Sequence, residues 1–299
     1  MKATTVPAII LTLLLSGCGR YQPLTSPSAP LQSATPSPPT ATPEPLAATV
    51  NGDVITLRSF EQELLRFETA RLAAGIDLAT LDAYPEGVLA AMIDLKLLAQ
   101  GALGRGISVS EAEIDQRLGT VAAGFEETAG FIAWLANEGY SVETYRAALE
   151  EQVLAASMVD EIIAGMPAQV EQVHARHILV ATIGEAEQIQ ASLASGIDFA
   201  TLANQVSQDA STRPAGGDLG WFPKGYLVVP EVDEAAFALE PGGTSGIVES
   251  SLGYHLVQTL ERGPHPPDAN VERWLREQAV ENWLAEQRGV SEIEVFITP

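Results

Sequence analysis

V-H-A-R-H-I-L-V (residues 173–180), G-G-D-L-G-W-F (216–222), A-F-A-L-E-P-G (236–242) and G-Y-H-L-V (253–257) together delimit one small domain near the end of this 299-residue chain. The first block alternates as a strand does, so Ala175, His177 and Leu179 share one face and Arg176 takes the other. Asp198 is placed to cap a helix running through Phe199, Leu202 and Val206. The stretch S-Q-D-A-S-T-R-P-A-G-G (207–217) reads as a loop whose glycines permit backbone conformations that a Cβ would resist. A short helix over 232–238 and a closing strand over 253–260 complete the unit. A lone histidine on an apolar strand is most often a hydrogen-bonded core residue. His177 and His255 fall in two such strands, and as a pair they point to a site.

The four blocks, in this order and spacing, resemble the parvulin family of peptidyl-prolyl cis/trans isomerases over about ninety residues, one small domain. The resemblance implies a small antiparallel sheet flanked by helices, with His177 and His255 facing each other beneath the active site. It also places Asp209 at the family's third polar position and Ser250 at the hydroxyl that completes the histidine network. Leu219, Phe222, Leu227 and Val232 take the implied prolyl-binding positions; Val232 stands where Phe is usual and offers less flat apolar surface. The implied chemistry needs no nucleophile, metal or other cofactor. No H-x-x-x-H or Cys/His metal spacing and no G-x-S-x-G elbow is present. His174 and His265 read as exposed or linker residues. The stretch 181–187 reads as a short acidic loop without Lys or Arg, which disfavours a phosphorylated substrate.

The N-terminus sets the expected compartment. Val6 to Leu15 is apolar but too short to cross a bilayer, which needs about 20 residues, so residues 1–17 read as a signal peptide. L-S-G-C resembles the lipobox of bacterial lipoproteins, with Cys18, the single cysteine, as the lipidated residue. Residues 18–46, rich in Pro, Ser and Thr, read as a tether at about 3.1 Å per residue. The formal net charge of −23 argues against nucleic acid and anionic lipid as partners, leaving the lipid on Cys18 as the membrane link.

Between tether and isomerase, Asn51-Gly52 is a strong hairpin signal. Four helices should follow: one after Thr56 or Ser59, one with Pro85 in its first turn, one opened by S-E-A-E (110–113), and one capped by Ser141. V-N-G-D-V-I-T, I-D-L-K-L-L, R-G-I-S-V-S-E-A-E-I and G-Y-S-V-E-T-Y-R resemble the N-terminal chaperone domain of the SurA and PrsA foldases. That likeness implies an α+β protein: a helix-rich domain over 47–168, completed by 264–299, with the isomerase (170–262) inserted. Val271, Trp274, Leu275, Ala279, Val280, Trp283 and Leu284 form the apolar face of the returning helix, and G-P-H-P-P (263–267) reads as the linker before it.

The expected function is an extracytoplasmic, lipid-anchored isomerase and chaperone acting on unfolded polypeptides with X-Pro bonds. The alternative, resting on Val232, is a lipoprotein holdase whose isomerase domain only binds.

Overall fold

A computed structural model describes residues 44–297. The signal-peptide and Cys18 readings, and the proline-rich reading as far as residue 43, lie outside these residues; Leu46, read as the end of the tether, is the first residue of a strand. The chain divides into two compact units. One takes the chain as far as Glu161 and again from Asn282; the other is Ile162–Glu281.

The first unit opens with strands β1 (Leu46–Val50) and β2 (Asp53–Thr56), joined through Asn51 and Gly52. Both turn residues have positive φ, 50° and 89°, the requirement that makes Asn-Gly a hairpin signal. Thr56 caps α1 (Leu57–Ala73), its hydroxyl accepting from Ser59 N–H at 3.1 Å. Next comes α2 (Tyr84–Gly104), with Pro85 in its first turn and Val88, Leu89, Ile93, Leu97, Leu98, Ala99 and Ala102 buried. α3 (Glu111–Ala122) begins at Ser110, whose side chain accepts from Glu113 N–H. The Glu113 carboxylate bonds Arg117 one turn on.

The sequence reading missed α4 (Thr128–Asn137), so the helix capped by Ser141 is α5 (Val142–Ala164). α4 has no side-chain cap, and its T-A-G-F-I-A-W-L-A-N sequence is apolar on most faces, so no stripe stands out against a polar background. Phe131 and Leu135 of α4 nevertheless pack with Ile114, Tyr145, Leu149 and Val153. Phe125 and Trp134 pack beside them in tilted ring pairs.

In the second unit, β3 (Val170–Val180) leads to α6 (Ile183–Ala194) and α7 (Phe199–Val206). There follow β4 (Asp218–Pro223), α8 (Pro230–Ala238), β5 (Val248–Ser250) and β6 (Gly253–His265). All pairings are antiparallel, in the order β4-β3-β6-β5. One face of the sheet packs Ile178, Val180 and Leu256 against Ala186, Ile189, Phe199 and Leu202 of α6 and α7. The other packs Val173, Ala175, Phe222 and Val257 against Val232 and Ala236 of α8.

Two readings are corrected here. The stretch after β3 is the start of a helix, because Thr182 and Glu185 form a reciprocal capping box. G-P-H is the end of β6, with Gly263, Pro264 and His265 paired to Gln172, Glu171 and Val170. The side of β6 away from β3 pairs with β5 and then, as far as Thr259, with backbone groups of Gly242, Gly243 and Ser245; beyond Thr259 it is an edge, where proline is tolerated. Gln172 Nε2 also donates to the His265 carbonyl at 2.7 Å, and Trp221 stacks on the His265 ring at 4.2 Å.

The last helix, α9 (Ala269–Val290), begins in the second unit and ends in the first. The tail reading placed all of 264–299 with the first unit; here only the end of α9 and the strand after it lie there. In its first half Trp274 meets Tyr226, in the loop between β4 and α8, edge-on at 5.5 Å, which places that half with the second unit. In its second half Arg288 pairs with Asp94 at 2.5 Å. β7 (Ile293–Val295) then adds to β1.

Candidate active site

β3 and β6 are neighbours through the middle of the second unit, and this pairing brings His177 and His255 together. Their rings lie 5.4 Å apart at 19°, with the two Nδ1 atoms at 3.3 Å. His255 is fully buried and His177 is 7% exposed. His177 Nε2 contacts Asp209 Oδ2 at 2.8 Å, and His255 Nε2 contacts Ser250 Oγ at 2.7 Å. The four polar residues read from the sequence thus form one hydrogen-bonded row, Asp209–His177–His255–Ser250.

The loop geometry that delivers Asp209 begins at Ser207, which is buried. Its hydroxyl accepts from Leu179 N–H at 3.2 Å, and Gln208 N–H donates to the Leu179 carbonyl at 2.7 Å. The start of the loop is therefore fastened to β3 two residues beyond His177. The far end closes through Gly217, whose carbonyl accepts from His177 N–H at 2.9 Å. Gly217 has φ +82°, and a Cβ there would stand 2.0 Å from the His177 carbonyl oxygen. Glycine is required by both the dihedral and the space.

Asp209 Oδ1 accepts from Ser211 Oγ at 2.5 Å and Ser211 N–H at 3.0 Å, and Oδ2 accepts from Thr212 Oγ1 at 2.5 Å. Burial opposes its charged form, but the bonds from Ser211, Thr212 and His177 outweigh burial and hold the carboxyl well below the usual carboxylate range. Burial, and then the neighbouring His177, push His255 down from its ordinary value to about 4. Asp209 is therefore an anion and His255 a neutral ring at neutral pH.

The Asp209 carboxylate orients the first link of the row. A carboxylate only accepts, so His177 Nε2 carries hydrogen. Between the rings the two Nδ1 atoms share one hydrogen, and His255 Nε2 and Ser250 Oγ share another. Ser250 Oγ in turn accepts from Leu252 N–H at 3.1 Å. Neither ring can flip without breaking a bond.

The apolar residues divide differently from the sequence reading. Leu219 and Leu227 are partly buried against the α8-side core and keep accessible surface. Phe222 is fully buried and Val232 is 2% exposed, so both form the layer beneath rather than a surface that a ligand touches. Val228, not singled out from the sequence, is 97% exposed. Ser211, Thr212 and Ser207 were likewise missed. The one available signal was their position beside Asp209 in S-Q-D-A-S-T.

His174 is not a bystander: its Nε2 contacts Asp218 Oδ1 at 2.8 Å. Arg176 projects to the α7 face, its guanidinium 4.9 Å from the centre of the Phe199 ring, opposite His177 as alternation requires.

Residues 4–159 match the model of the SurA-like N-terminal domain, and residues 171–261 match the PPIC-type PPIase domain. The chain belongs to the SurA-like family and carries a PPIC-type peptidyl-prolyl isomerase domain. It is 34% identical over 199 residues to the foldase protein PrsA of Caldanaerobacter subterraneus subsp. tengcongensis, covering 60% of this chain and 58% of that one. It is 39% identical over 147 residues to the chaperone SurA of Bordetella avium, covering 43% of this chain and 29% of that one. A solved structure of PrsA from Bacillus cereus aligns with a TM-score of 0.43 at 22% identity, covering 83% of this chain and 88% of that one. The chain spans less than two thirds of the curated relatives' length.

Proposed function

We propose that this chain is an extracytoplasmic foldase, anchored through lipid on Cys18, that isomerises X-Pro bonds in unfolded secreted or envelope proteins and holds them through its helix-rich unit. The observation that carries the reading is the row Asp209–His177–His255–Ser250, with Leu219 and Leu227 held against the core beside it. An X-Pro bond isomerises unaided in tens to hundreds of seconds, against an amide resonance barrier of about 18–20 kcal/mol for an ordinary peptide. Catalysis requires that the twisted, deconjugated amide be favoured over both planar forms. In this reading Leu219, Leu227 and Val228 grip the prolyl ring while the preceding carbonyl turns. The fixed Asp209 anion sets the field in which it turns. His177 and His255 position that anion, and no proton transfer is needed.

Names among the relatives, PrsA foldase and SurA chaperone, support unfolded polypeptide as the substrate and a site outside the cytoplasm. L-S-G-C supports the lipid anchor. The test is a protease-free isomerisation assay on a proline tetrapeptide, using protein that begins after the tether. The wild type should exceed the uncatalysed rate, and Asp209→Ala should lower kcat/KM at least about tenfold, about 1.4 kcal/mol of transition-state stabilisation. A wild type with no rate above background would transfer the function to binding alone. That second reading draws on Val232, which offers less flat apolar surface than the Phe usual at this position in the family it resembles.

A further inference from the structure

The loop 224–229 joins β4 to α8 and carries Tyr226, Leu227 and the exposed Val228. It rests on two groups outside itself. From α8, Asp233 is 3% exposed, and a carboxylate so far from water is costly unless its oxygens find donors. Its donors are the loop's own backbone: both oxygens lie 3.0 Å from Gly225 N, and Oδ2 lies 3.5 Å from Leu227 N. From α9, Trp274 meets the Tyr226 ring at 90°, and a Cβ on Gly225 would come within 4.0 Å of the Trp274 ring. Gly225 has φ +85°, so the bend that Asp233 holds is one that favours glycine.

The clamped loop adjoins the polar row. Leu227 packs on the same core as Leu219. Glu231, two residues before Asp233, lies close enough for its charge to act on His255.

We propose that Asp233 and Trp274 are positioning residues for the substrate. They fix the loop so that Leu227 and Val228 stand as one wall of the prolyl-binding surface. This rests on the isomerase reading and deepens it. Trp274 lies outside the matched isomerase stretch 171–261, so one wall of the site is set by a residue that this domain alone does not contain. A loop left to move would still admit a peptide but would lose part of its contact in ground state and transition state alike, which raises KM and leaves kcat.

The experiment uses the full chain with Trp274→Ala, Trp274→Phe and Asp233→Asn, assayed on a proline tetrapeptide. Asn keeps the shape but turns an amino group toward the loop's N–H donors. Trp274→Ala and Asp233→Asn should raise KM about fivefold with kcat changed less than about twofold, and Trp274→Phe should restore most of the affinity. Amide hydrogen exchange at Gly225 and Leu227 should quicken about tenfold in the first two variants. An unchanged KM in Trp274→Ala, or a fall in kcat alone, overturns the proposal. Should Asp233→Asn not fold, the two Trp274 variants decide. A wild type without turnover sinks the isomerase reading instead, and the clamp is then judged on amide exchange, where unchanged rates overturn it.

Discussion

The two units bury different things. Among the described residues, the buried polar side chains are Gln172, His177, Ser207, Asp233, His255 and Thr259, all in the isomerase unit. The described residues of the N-terminal unit bury aliphatic and aromatic side chains, in clusters such as that of Phe131, Leu135 and Tyr145. Burying a polar group costs stability unless its hydrogen bonds are remade. The isomerase unit accepts that cost repeatedly and remakes nearly every bond, the exception being Gln172 Oε1. The contrast separates a scaffold optimised for packing from one arranged around a buried hydrogen-bonded row.

The sharpest way to break the contrast is Gly217→Ala. The added Cβ meets the His177 carbonyl oxygen in a left-handed conformation, so the loop end or β3 must shift. We expect a loss of about 4 kcal/mol in stability together with loss of isomerase activity, measured by denaturant unfolding and the peptide assay. Near-wild-type stability would mean the loop is not fastened as described.

In the other unit, Leu135→Ala opens a cavity in the helical core. It should cost about 3 kcal/mol while activity per folded molecule stays unchanged, because no polar row is disturbed. A matching fall in specific activity would show that the two units are not independent in this respect.

Acid acts on the isomerase unit through His255. His255 is held at about 4 in the folded chain, below its ordinary value near 6.5. Between these values the unfolded chain binds a proton that the folded chain refuses, so stability falls as pH drops through that window. Asp209, also depressed, adds a loss only at lower pH, as it protonates in the unfolded chain first. Thermal melts from pH 7 to 4 should lose on the order of 2 kcal/mol from His255, and His255→Gln should flatten the slope. An equal slope in that variant would assign the acid sensitivity elsewhere.

Local chemistry was legible in the sequence where one residue type has one use. Asn51-Gly52, Thr56, Ser110, Ser141 and Asp198 each sit at the turn or helix end that they signal. The facing of His177 and His255, and the places of Asp209 and Ser250 as polar positions of the same network, were what the resemblance implied; which histidine each one bonds came from the structure. What was hidden depends on tertiary context. α4 lacks a cap and an apolar stripe. Pro264 reads as a break, yet lies on an edge where β6 needs no donor. Phe222 and Val232 have the right chemistry for a binding surface, but the α8 packing draws them underneath and leaves Val228 outside. Ser211 and Thr212 read as ordinary loop residues until Asp209 needs donors.

The strand β7 lies beside β1, with Val295 opposite Ala48. The partners are separated by about 250 residues, which at a typical rate of about 5–20 residues per second take roughly ten to fifty seconds to synthesise. Throughout that interval β1 has its hairpin partner β2 but presents an open edge, the kind of surface on which chains self-associate. Until Ile293–Val295 has been made, a nascent copy therefore carries one strand closed on one side only.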